Sequence, residues 1–113
     1  MCGSVRPCRS YSTCPVGSHP SGRSRRGIED LAGNAREWVA ERYAPYGSDD
    51  AGVLLTPGQE EAQPKVIRGG SWQESEPYSL RASERSSAYP GQAYWNVGFR
   101  CAQSIPEGTK KKN

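Results

Sequence analysis

Only fourteen residues of this chain are Leu, Ile, Val or Phe, about 12% of its 113 positions. A sequence so poor in aliphatic side chains cannot assemble a large conventional core, and it falls below the roughly 20% at which disorder enters the picture. The other half of the disorder signature, a high net charge, is missing at +3. Three Trp and six Tyr partly replace the aliphatics, and each can bury about 150–250 Å². The expectation is one small domain with an aromatic, loop-rich core, marginally stable by itself.

The large side chains are unevenly spread. Residues 1–26 hold Cys2, Cys8 and Cys14, several arginines and almost nothing apolar, so this stretch reads as a flexible basic arm that cannot offset its ordering entropy. Residues 105–113 close the chain as a basic tail with Lys110, Lys111 and Lys112, a solvated end by default. Basic residues confined to two tails, without a recognition motif, argue against nucleic-acid binding. No apolar run approaches the roughly 18 residues of a membrane span, and none resembles a signal peptide's central region. The sequence therefore predicts no membrane contact and gives no address in the cell.

Cys2, Cys8 and Cys14 recur every six residues and Cys101 stands far away, which is neither a paired zinc spacing nor a redox pair. Reduced or incidental thiols are the expectation; disulfides are the alternative. The lone histidine, His19, sits in "GSHPSG", a loop context that predicts exposure without catalytic work.

Between the tails the text is more specific. "KVIRG" and "VGFRCA" read as short glycine-bounded strands, while Arg36–Tyr43 fits a helix stripe as well as a twisted strand. "KVIRGGSW" sets two glycines between β-branched residues and Trp72, which is odd wording for a hairpin turn.

Five segments in order, "PVGSHP", "GIEDLAGNAREWV", "VIRGGSW", "LRASER" and "NVGFRCA", resemble the C-terminal half of the formylglycine-generating enzyme family, the sulfatase-modifying factors. The likeness runs from about Pro15 to Ala102. It implies an irregular, loop-rich α+β fold related to C-type lectin-like domains, incomplete here and occupying residues 27–104. Gly69 and Gly70 would let neighbouring segments pass close beside Trp72, with packing as their ordinary role. Because the family's N-terminal half is replaced by the arm, the chain looks like a fragment: a misassigned start, a truncated gene, or a fold completed by another chain.

Family enzymes oxidise a substrate cysteine with oxygen, using two thiolates after the "GGS" motif that bind copper(I), a soft metal. The corresponding segment here is "WQESEPYSLR", and no cysteine lies between Cys14 and Cys101. Copper is therefore not expected, and no catalytic residue is assigned. A second departure is Arg36, which stands in "GNAREW" where the family usually has an aromatic. A related branch, the sulfoxide synthases, needs three histidines on iron, and one histidine cannot supply them. What the resemblance does carry over is a structural calcium, held by the carboxylates of Asp30 and Glu37 and the carbonyls of Gly33 and Ala35, an oxygen set suited to that ion. The alternative is that Asp30 and Asn34 merely satisfy a turn.

Arg68, Arg81, Arg85 and Arg100 suggest either an anion site or, as the better expectation, structural pairing with Glu37 or Glu84 and stacking on aromatics. Tyr89, Tyr94 and Trp95 are a ligand-facing aromatic loop or part of the core. Two functions follow: an inactive structural or binding module for an unknown protein or small-molecule ligand, and part of an active oxidoreductase completed by a missing half.

Overall fold

In the computed structural model, residues 11–59 and 62–106 are described. Cys2, Cys8, the arm before Tyr11 and the tail after Pro106 lie outside the described residues. Four strands form one mixed sheet: β1 (Arg36–Arg42), β2 (Lys65–Arg68), β3 (Ser86–Ala88) and β4 (Val97–Gly98). Their order is β3-β2-β1-β4. The β1–β2 and β2–β3 pairs are antiparallel, whereas β4 lies parallel to β1.

Arg36–Arg42 is thus a strand, and the ambiguity of its pattern is settled by its neighbours. It pairs on both sides, which a helix cannot do. Trp38 faces Ile67 and Arg42 faces Lys65, so the three residues between the β1 positions oppose only Val66. That bulge twists β1 and explains why its alternation is imperfect in the sequence. The far end of β1 is held by Arg42 N–H on Val53 O at 2.7 Å and a bridge from Glu41 to Leu54.

The loop-rich mixed architecture is the expected one, but its helical share needs correction. Among the described residues the helices are single 3-10 turns, Pro20–Gly22 and Pro77–Leu80. Each starts on a proline, breaks within four residues and never reaches the i to i−4 bonding of an α-helix. The aromatic core is a second correction. The buried apolar residues are Ala44, Val66, Ile67 and Ala88, all on or beside the central strands, while Trp38, Trp72 and Tyr94 are half-buried around them. A sheet of four short strands has too little covered face to enclose whole indoles and phenols. Tyr94 instead tilts against Trp38, ring centres 6.3 Å apart.

The described part of the arm is tied to the domain by polar contacts. Asn34 accepts from Cys14 N–H at 2.8 Å and donates to Cys14 O at 3.3 Å, Gly17 N–H donates to Asp30 Oδ2 at 2.9 Å, and Arg23 pairs with Glu29. Cys14 is disulfide-bonded, contrary to the reduced state expected of it, while Cys101 is free and exposed. Among the described residues no helix is long and apolar enough to cross a membrane.

Candidate functional site

The paired glycines make the first site possible. Gly69 (φ +94°) and Gly70 (φ +67°) both lie in left-handed backbone. A Cβ on Gly69 would stand 3.0 Å from Leu31 O, and one on Gly70 would stand 2.5 Å from Leu80 Cδ2 and 3.1 Å from Ser79 O. Through this bare corner the 31–34 loop docks, with Gly33 N–H on Gly69 O at 2.7 Å and Trp72 N–H on Asn34 O at 3.1 Å. The corner is a packing device, and it turns Ser71 inward.

Ser71 is buried, and it feeds a carboxylate. Its N–H and Oγ–H both donate to Glu74 Oε2, the hydroxyl at 2.5 Å. On the other oxygen, Glu74 Oε1 accepts from Arg36 Nε at 2.8 Å and Nη2 at 2.6 Å. Both partners of the pair are 14% exposed. Burial alone would push the Glu74 carboxyl up; the Ser71 hydroxyl, Arg36 and the Ser71 amide together hold it below its ordinary value. Arg36 is placed by β1, its own N–H bonding Asn96 O at 2.8 Å. The loop after "GGS" is therefore a closed Ser–Glu–Arg network.

The second site is an open cleft of about 510 Å³ lined in part by Asp30, Asn34, Ala35, Glu37 and Arg100. Three of the four proposed calcium ligands, Asp30, Ala35 and Glu37, line it, although among the described residues no three His, Cys, Asp or Glu side chains are grouped closely enough to hold a metal ion. The fourth, Gly33, is not among the lining residues. Asp30 (φ +55°) and Asn34 (φ +61°) adopt left-handed backbone, which their short polar side chains tolerate. Those side chains reach back to Gly17 and Cys14 instead of capping a local turn. Glu37 pairs with Arg100, whose Nε lies 2.7 Å from Oε2, and Arg100 Nη1 also donates to Glu29 O at 3.0 Å. The hydrogen bond to Glu37 outweighs burial and raises the already high pKa of Arg100. A protein cation thus already answers one carboxylate of the set.

The four arginines do not form an anion cluster. Arg100 pairs with Glu37, as expected; Arg81 Nε donates to Tyr78 O. Arg68 and Arg85 share Glu41, at 3.7 and 4.0 Å, a partner the sequence reading missed because the β1 bulge hides its register. Arg85 lies over the Tyr46 ring at 3.7 Å and donates to Ala44 O at 2.6 Å. Of the aromatic loop, Tyr94 packs inward while Trp95 is 88% exposed. His19 is half-buried, its Nε2 shielded and without a hydrogen bond.

With this geometry in hand, the comparison is direct: the profile described as "Sulfatase-modifying factor enzyme 1-like domain" matches residues 5–105. The chain belongs to the sulfatase-modifying factor family. Relatives within reach include the formylglycine-generating enzyme of Streptomyces coelicolor, 34% identical over 94 residues, 80% of this chain and 29% of that protein. Inactive C-alpha-formylglycine-generating enzyme 2 of Mus musculus is 34% identical over 98 residues, 83% and 27% of the two. Serine/threonine-protein kinase Pkn1 of Chlamydia trachomatis is 34% identical over 99 residues, 85% and 16%. This sulfatase-modifying-factor chain therefore spans less than a third of each relative's length.

Proposed function

We propose that this chain is a catalytically inactive sulfatase-modifying-factor domain that works as a structural or binding module. The observation that carries this reading is the Ser71–Glu74–Arg36 network. In the loop where the family resemblance puts copper thiolates, the nearest ionisable side chain is a carboxylate saturated by a guanidinium and a hydroxyl. Arg36, one departure from the family pattern, pairs with Glu74 in the same loop that lacks the thiols. A hard, hydrogen-bonded oxygen is a poor ligand for copper(I). The scaffold is read as C-type-lectin-like, which the small sheet carrying long irregular loops supports, with the rest of the domain or another chain as its partner.

The test is direct. Incubated with copper(I), oxygen and a peptide bearing the sulfatase cysteine motif, the chain forms no aldehyde; copper-dependent turnover would establish the active reading instead.

A structural calcium ion belongs to the same proposal. The presence of Asp30, Ala35 and Glu37 in the lining of one cleft supports it. The two carboxylates with the Gly33 and Ala35 carbonyls would hold the ion, which would neutralise charge and fix the 30–37 loop, with Glu37 shared between calcium and Arg100.

A further inference from the structure

Arg23, Arg25 and Arg26 fall together in "RSRR", and neither site described above uses them. The structure sets this stretch on a tight turn. Ser24 N–H donates to Ile28 O at 2.8 Å, Gly27 N–H to Ser24 O at 2.9 Å and Ile28 N–H to Ser24 Oγ at 3.0 Å, so the turn closes on Ser24 and leaves Arg25 and Arg26 exposed. Among the described residues neither of these two arginines has a hydrogen bond or ion pair, in side chain or main chain. The other basic positions are better held. Arg36, Arg42, Lys65 and Arg68 belong to β1 and β2, Arg81 N–H bonds Tyr78 O, and Arg85 and Arg100 are fixed by their side chains.

An endoprotease takes its substrate as an extended segment, and two features of this turn ease that change. Its hydrogen bonds are few and exposed, so opening it is a local event that leaves the sheet intact. Gly27 (φ +81°) has no atom within 4 Å of the place a Cβ would take. The residue after Arg26 therefore passes from left-handed to extended backbone without strain or collision. One contact opposes the change: Arg23, 52% exposed, donates through Nε to Glu29 Oε1 at 2.9 Å. A protease cleft that presents carboxylates to arginines replaces that partner with an equivalent one.

We infer that the Arg26–Gly27 bond is a processing site for an endoprotease selective for clustered arginines. One water adds across the peptide bond, leaving a carboxylate on Arg26 and an ammonium on Gly27, and nothing else is consumed. The cut acts on the cleft. Ahead of it, Cys14 bonds the Asn34 side chain, Gly17 N–H bonds Asp30, and Val16 shares the cleft lining with Phe99. The Cys14 disulfide does not cross the cut, because Cys101 is the only cysteine beyond it and is free. After hydrolysis noncovalent contacts alone retain the arm, so processing makes that wall of the cleft detachable and frees the Asp30 and Asn34 side chains.

The experiment uses the full chain under non-reducing conditions, with an endoprotease that requires arginine both at the cut and upstream of it, and separately with trypsin, which needs one basic residue. Intact mass identifies the first fragments. The selective enzyme should release residues 27–113 before any other product. Arg26→Ala should abolish that product, and Arg23→Ala and Arg25→Ala should each slow it by about tenfold or more. These are exposed positions, and an unchanged melting temperature in each variant checks that the fold is kept. Trypsin controls for simple looseness of the turn: its cut after Arg26 should keep its rate in Arg23→Ala. In gel filtration of the cut chain under native conditions, the arm should elute apart from the domain. A first cut by the selective enzyme at any other arginine, or a rate indifferent to Arg23 and Arg25, would overturn the site. An arm that stays with the domain after the cut would overturn the detachable wall.

Discussion

Arg36 on β1 and Glu74 beyond the glycine corner hold each other across 38 residues of sequence, Nη2 to Oε1 at 2.6 Å. With each side chain 14% exposed, neither charge can be left alone without a desolvation cost. Arg36→Ala or Glu74→Ala should lower unfolding free energy by about 1–3 kcal/mol, less than the ~3–5 kcal/mol of a fully buried pair because water still reaches both groups. The double variant should lose less than the sum of the two. Urea denaturation of the four proteins would measure this, and strict additivity would show that the pair is not coupled.

The same carboxylate predicts a pH dependence. Its folded pKa is depressed below the ordinary value of 4.5, so the unfolded chain binds the proton more readily. The stability it contributes is complete above about pH 4.5 and is lost as pH falls through the lower folded value. Glu74→Gln should flatten that part of the acid limb of a melting-temperature profile. Parallel acid limbs in wild type and variant would remove Glu74 from the account.

Gly70→Ala is expected to destabilise by at least about 1–2 kcal/mol, from left-handed backbone alone, with the contact to Ser79 O adding to it. Leu80→Ala in the same chain should recover little, because the backbone terms remain. Recovery to wild-type stability would make the Leu80 methyl the whole cause.

Arg85 is 5% exposed and lies on the face of Tyr46. Its planar guanidinium stacks and donates at once, which an ammonium cannot reproduce. Arg85→Lys should therefore cost about 1–2 kcal/mol, and in the Tyr46→Leu background the same change should cost distinctly less. Equal costs in both backgrounds would assign the role to the Ala44 carbonyl.

Calcium at Asp30 and Glu37 would stabilise only the folded chain and so raise its melting temperature by mass action. Asp30→Asn and Glu37→Gln should abolish the rise, Asp49→Ala should not, and magnesium should substitute poorly because it demands a tighter octahedron. Identical melting with calcium and chelator would leave Arg100 as the cation of that cleft.

The sequence by itself determined whatever depends on composition, local backbone freedom or an ordered set of motifs. A thin aliphatic supply meant a small core, two adjacent glycines meant a corner with close neighbours, and five ordered segments carried the family. The lack of thiols between Cys14 and Cys101 was equally plain. Tertiary structure alone decided which distant groups met. Glu74 became the partner of Arg36, Glu41 came to be shared by Arg68 and Arg85, and β4 joined β1 in parallel through a long irregular connection. Periodicity carries the face a residue prefers, but a bulge in β1 breaks that count, and no local pattern says which carboxylate an arginine will find. The exposure of Trp95 and Phe99 has the same origin: aromatics look like core in a sequence, and four short strands cover too little area to bury them.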